Sequence, residues 1–198
     1  MTKEEFNEKW DNYWYHYKWH TLGTIFIVFC LVFTVFEYFG RKPSDFDITY
    51  IGDYMNYEGL AADITENYSE LIGDINKDGV FKAEINAIYT NENVAHDSNL
   101  EFWQRIDMDL INGESYIYLI DEHLLKSFME RGANGVIKTK DGYVPYIDVT
   151  ENPYLMKYLP GDKKVFLCVR KYFEYDAGEK IKKVEEKSLE FLEKILEK

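Results

Sequence analysis

Ser115 to Ile120, SYIYLI, carries no charge and does not alternate between apolar and polar residues. A strand with both faces apolar belongs inside a parallel sheet, with helices above and below it. The neighbouring segments agree. Just upstream, residues 99–112 place Phe102, Trp103, Ile106 and Leu110 at helical spacing and stop at Gly113. Before that helix, Val80 to Tyr89 reads as a strand, with Phe81, Ala83, Ile85, Ala87 and Tyr89 inward and Lys82, Glu84 and Asn86 outward. The polar loop 74–79 separates it from a helix over 59–73, whose face is Leu60, Ile64, Tyr68, Leu71 and Ile72. Phe46 to Gly52, FDITYIG, opens the series as a strand. Downstream, 122–131 is a short helix around Leu124, Leu125, Phe128 and Met129. Strand and helix in strict alternation predict an α/β fold with a mostly parallel sheet covered by helices. The pattern then changes. A β-hairpin is expected over 136–147, turning at Asp141-Gly142 with Pro145 on an edge. A helical turn at 154–159, a strand at 164–172 and a long helix at 178–198 follow. The stripe of that last helix is Ile181, Val184, Leu189, Leu192, Ile195 and Leu196.

Ahead of this domain lies Thr21 to Phe39, TLGTIFIVFCLVFTVFEYF, uncharged before Glu37. As a helix it is roughly 27 Å long, the thickness of a bilayer's hydrocarbon core. A membrane-spanning helix is predicted over 21–40. No small-x-small cleavage site follows it, and Phe29 stands before Cys30 where a lipoprotein signal needs a small residue, so the segment reads as an uncleaved signal anchor. Residues 1–20 repeat Phe6, Trp10, Tyr13, Trp14 and Tyr17 at helical spacing. They read as an amphipathic aromatic juxtamembrane helix lying in the interface, with Trp14, Tyr15, Tyr17 and Trp19 as an aromatic collar. Arg41-Lys42-Pro43 ends the helix, and residues 44–198 form the soluble domain. A short leader before an uncleaved anchor delivers the long domain outward. The expected location is therefore the cell membrane, single-pass, with the N-terminus inside and the domain outside.

The whole net charge of −13 falls on residues 44–198. An acidic domain repels nucleic acid and suits cationic partners such as metal ions, amines or basic peptides. The two cysteines, Cys30 in the span and Cys168 in a predicted strand, do not pair.

Two places could carry chemistry. Asp74-Ile75-Asn76-Lys77-Asp78-Gly79 matches the first half of a calcium loop, D-x-N-x-D-G. Side-chain oxygens of Asp74, Asn76 and Asp78 and the carbonyl of Val80 would be the ligands. The second half departs from the pattern, with Lys82 at the ninth position and Ile85 at the twelfth, and Glu84 one place early. The other reading is an ion-free turn built from Asx residues and glycine. The second place follows from topology, because ligands of open α/β sheets bind beyond the C-terminal ends of the strands. Those ends supply Asp53, Tyr54, Asn91, Asp121 and His123. Signatures such as G-x-G-x-x-G, G-x-S-x-G, H-E-x-x-H and C-x-x-C do not occur. The chain is expected to be a non-enzymatic ligand- or protein-binding domain, an accessory or sensor subunit. The alternatives are a structural protein of an envelope complex and an enzyme whose site is of another kind.

Three stretches carry a resemblance: FDITYIG with LAADITENYSELIGD (60–74), FWQRIDMDLINGESYIYLIDEHLL (102–125) and YIDVTENPYLMKY (146–158). Together they resemble the first lobe of bacterial extracellular solute-binding proteins, which implies a ligand-binding α/β lobe. The length suits one lobe and not two. The front end, KWDNYWYHYKWHTLG (9–23) with the span, looks like uncharacterised single-pass membrane proteins of Gram-positive bacteria.

Overall fold

A computed structural model describes residues 2–40, 43–90, 100–112, 115–131, 135–139, 142–171 and 178–196. The chain divides into two compact units, Met1–Lys42 and Pro43–Lys198.

The first unit is helix α1, Lys3–Gly40, 38 residues without a break. At about 1.5 Å per residue it is roughly 57 Å long. Among the described residues, this is the helix long and apolar enough to cross a membrane. The expected boundary between collar and span, at residues 20 and 21, falls inside continuous helix.

The second unit is α/β. Its strands are β1 (Phe46–Gly52), β2 (Ala83–Tyr89), β3 (Ile117–Asp121), β4 (Ile137–Thr139), β5 (Gly142–Val144), β6 (Tyr146–Asp148) and β7 (Val165–Val169). Its helices are α2 (Tyr57–Asn67), α3 (Ser69–Ile72), α4 (Leu100–Asn112), α5 (Glu122–Glu130) and α6 (Glu179–Leu196), with a 3-10 turn at Leu155–Lys157. The main sheet runs β2-β1-β3-β7-β6. β1 pairs in parallel with β2 and β3, while β7 is antiparallel to both β3 and β6. The mostly parallel sheet expected from the alternation is therefore a mixed sheet, half of whose pairings are antiparallel. The physical reason lies in the connection before β7. β3, α5, β4, β5 and β6 precede it, and β7 returns from β6 through residues 149–164, which carry the 3-10 turn and no α-helical crossover. The hairpin forms only in part. β4 and β5 make a separate antiparallel ribbon, and β6 leaves it at Pro145 to join the main sheet. Asp141, expected at its turn, lies outside the described residues.

Helices cover both faces. One face of the sheet meets α2, α3 and α6 in a core that includes Phe46, Ile48, Leu60, Ile64, Tyr68 and Phe191. The other face meets α4 and α5 through Ile51, Trp103, Ile106, Tyr118, Leu124 and Phe128. β3 is buried along its whole length, as its sequence requires. β2 is not one-sided, because Ile88, on the face opposite Ile85, is buried as well. α6 turns its stripe slightly from the expected one. Phe191 and Ser188 are buried while Leu189 is 38% exposed. The Phe191 ring meets Phe46 edge-on at 5.2 Å and Tyr68 at 4.9 Å.

Candidate functional site

The ends of β1, β2 and β3 meet at one edge of the sheet. Register sets this: Gly52 ends β1 opposite Tyr89 of β2, and Asp121 ends β3 one residue beyond the partner of Ile51. Asp121 is fully buried. Its Oδ1 lies 2.9 Å from the Tyr50 hydroxyl, and its Oδ2 accepts the Asp53 N–H at 3.0 Å. The Tyr50 hydroxyl is also 3.0 Å from the Tyr54 carbonyl. A phenol has one hydrogen to give. The Tyr50 hydroxyl therefore donates to one of these two acceptors or shares its hydrogen between the Asp121 carboxyl and the Tyr54 carbonyl. Burial pushes the Asp121 carboxyl above the ordinary carboxylate range, against the opposing effect of the Asp53 N–H, Tyr50 and His123. Burial, and then the nearby Asp121, push the Tyr50 phenol up as well.

Above this buried pair the surface is aromatic. Tyr54, Tyr57 and Tyr89 are 66%, 36% and 45% exposed. The Tyr89 ring meets Tyr50 and Tyr57 edge-on at 6.4 and 6.3 Å. Asp53 Oδ2 pairs with Lys163, from the loop before β7, while Asp53 Oδ1 is buried without a hydrogen-bond partner. His123 sits exposed in the first turn of α5. The structure thus brings together Asp53, Tyr54 and Asp121 of the expected strand-end residues, with His123 close enough to act electrostatically on Asp121. Asn91 lies outside the described residues. Sequence reasoning missed Tyr50, Tyr57, Tyr89 and Lys163. Tyr89 reads as an inward residue of its strand, Tyr50 lies inside the strand FDITYIG with no mark of its own, and Lys163 has no local signal.

A pH test separates a buried proton from a buried charge. A carboxyl whose folded pKa lies above its unfolded one contributes stability that is fully present below the unfolded pKa. That stability is lost as pH rises through the folded pKa. Asn at position 121 keeps an acceptor for the Asp53 N–H and a donor for Tyr50, and it does not titrate. Asp121→Asn is expected to match the parent near pH 4 and to exceed it by about 1 kcal/mol at pH 7.5 in denaturant melts. A variant less stable than the parent at pH 7.5 would mean that Asp121 is held as a carboxylate.

The loop 74–79 is built differently. Asp74 Oδ1 accepts the N–H groups of Lys77 (2.6 Å) and Asp78 (3.2 Å), and Oδ2 accepts that of Gly79 (2.7 Å). Asn76 Oδ1 accepts from Asp78 N, and Asp78 Oδ1 accepts from Val80 N. Lys77 (φ 63°) and Gly79 (φ 86°) take left-handed geometry to close the turn. These bonds satisfy the loop backbone without an ion, and among the described residues no cluster of three or more His, Cys, Asp or Glu side chains forms a metal shell. A residue the sequence did not single out organises the loop from below. Asp45 is 2% exposed, and its carboxylate accepts from Ile75 N, Asn76 N and Lys82 N at 2.9, 2.9 and 3.0 Å.

A groove of about 420 Å³ lies elsewhere, between β2 and α4, lined by Asn86, Gln104, Arg105, Met108 and Asp109 among others. No family model, curated protein or solved structure matches the chain.

Proposed function

We propose that the chain is a single-pass membrane protein whose soluble domain, 44–198, lies outside the cell and binds a ligand or partner without catalysis. In this reading it is an accessory or sensor subunit, built like one lobe of a solute-binding protein. The observation that carries the proposal is the strand-end cluster. There a buried carboxylate oxygen of Asp53 has no hydrogen-bond partner at a strand end that also carries three exposed tyrosines, on a domain that holds the whole net charge of −13. A ligand bearing a protonated amine would supply the missing donor and stack its charge on the tyrosine rings. The groups beneath are engaged in holding one another. Both oxygens of Asp121 are committed, to Tyr50 and to the Asp53 amide, which suits a binding floor better than a reacting group. Outward orientation is part of the same proposal and is read by protease, as below.

The test uses the full chain in lipid nanodiscs, melted with spermidine, with free amino acids and with a lysine-rich peptide. A raised melting temperature with one of them, lost in both Asp53→Asn and Tyr54→Ala, is the expected result. No shift with any probe overturns the amine reading. Calcium at Asp74, Asn76, Asp78 and the Val80 carbonyl is the cofactor that goes with an outside location, and a parallel calcium titration tests it. Stabilisation lost on Asp78→Ala supports calcium, and no response at millimolar calcium rules it out. Protease added to intact cells reads the orientation, with cleavage of the domain expected.

A further inference from the structure

The groove between β2 and α4 has a polar floor and a polar rim. Gln104, Arg105, Met108 and Asn112 fall on one stripe of α4 at helical spacing, and Asn86 of β2 lines the groove with them. The floor interrupts a face of the sheet that is otherwise apolar, with Ile51, Ile88, Trp103 and Ile106 around it. Register sets Asn86 beside Thr49 of β1. Thr49 and Ser115 are fully buried, and the Thr49 hydroxyl lies 2.8 Å from Ser115 Oγ and 3.3 Å from Asp109 Oδ2. Asp109 is 8% exposed and lines the groove. Two buried hydroxyls and a carboxylate cost desolvation that apolar residues of similar size would not. Packing gives no reason for them. Presenting a fixed carboxylate to the groove does.

The rim is open. Among the described residues, the side chains of Asn86, Gln104, Arg105 and Asn112 make no hydrogen bond or ion pair within the chain. For Arg105 this is contrary to its surroundings. Glu101 stands four residues before it and Asp109 four residues after it, the spacing at which helical ion pairs form, and it pairs with neither.

We propose that this groove binds a neutral saccharide. A sugar hydroxyl both donates and accepts, so it is met by planar groups that supply each. The Arg105 guanidinium and the amide nitrogens of Asn86, Gln104 and Asn112 supply donors. The amide oxygens and Asp109 supply acceptors. The charges argue against an ionic ligand: Arg105 repels a cation, and Glu101 and Asp109 repel an anion. Met108, 54% exposed, offers the C–H face of a sugar ring an adaptable apolar surface. At about 420 Å³ the groove has the size of a small-ligand site.

Saturation-transfer NMR on the full chain in lipid nanodiscs tests the site, with glucose, N-acetylglucosamine, maltotriose and chitotriose as probes. Transfer to at least one sugar is expected. Transfer to a trisaccharide alone makes a polysaccharide chain the source, and transfer to a monosaccharide as well makes it a free sugar. Arg105→Ala and Gln104→Ala each remove one exposed rim side chain. Each is expected to weaken binding about threefold to tenfold and to leave the melting temperature where it was. Asp109 is left unchanged because it also meets Thr49. No transfer to any sugar, or equal affinity in the parent and both rim variants, overturns the proposal. Succinate bound in preference to every sugar, and lost in Arg105→Ala, overturns it as well, since the ligand would then be an anion. None of these variants touches the strand-end cluster, so the outcome stands apart from the amine reading.

Discussion

Replacing Asp45 with alanine is expected to cost the domain about 3–4 kcal/mol, a large part of the stability of a typical domain. The reasoning is an accounting of donors. Three backbone N–H groups, on Ile75, Asn76 and Lys82, end on one carboxylate that is 2% exposed. A buried donor left without an acceptor costs about 1–3 kcal/mol. The loop is partly open to water, so solvent recovers some of the sum. A second route to the same loop remains, since the Asp45 N–H still donates to Lys82 O at 2.8 Å. Asp45→Asn keeps one carbonyl oxygen for Ile75 and Asn76 but turns an amide towards Lys82 N, and roughly half the loss is expected. Urea melts of the full chain in detergent read the cost. Hydrogen exchange of the segment 74–82 reads its place, with protection lost there first. Equal stability of parent and Asp45→Ala would show that the loop is held by Asp74 alone.

Much of the domain could be read from hydrophobic patterning because its central elements are buried where patterning is strongest. FDITYIG, SYIYLI and the face Phe102, Trp103 and Ile106 became the strands and helix expected of them. What could not be read depends on direction and distance. An apolar run such as VFLCV packs equally well in either direction, so nothing in β7 announces that it runs against β3. Asp45 looks like any polar residue after a proline turn. Its three partners lie 30 to 37 residues away in sequence. Asp121 was legible as a strand-end acid, but its burial was not, because the lid over it is the side chain of Tyr50 and the backbone of Gly52. The expected loop 74–79 was found as a turn, because Asp, Asn and Gly make the same local bonds with or without an ion.

Gly52 carries the second large effect, and its reason is space, not backbone freedom. A Cβ added there would sit 2.5 Å from Asp121 Oδ1 and closer still to the Tyr50 hydroxyl. Gly52 is buried, and its carbonyl already holds Thr90 N–H at 2.9 Å, so the strand cannot swing away without releasing β2 from that bond. The side chains must move instead, and both are fixed. Moving Tyr50 breaks its bonds to Asp121 and to the Tyr54 carbonyl, and moving Asp121 releases the Asp53 N–H. Overpacking costs about 1–3 kcal/mol and each orphaned buried polar group about as much again, so Gly52→Ala is expected to lose about 3–5 kcal/mol. The double variant Gly52→Ala with Tyr50→Phe removes the hydroxyl that the new methyl meets. It should recover a measurable part of that loss although Tyr50→Phe alone is destabilising. Such a non-additive pair is the mark of a direct clash. Strict additivity of the two changes would place the cost at Asp121 or in the strand backbone and away from the Tyr50 hydroxyl.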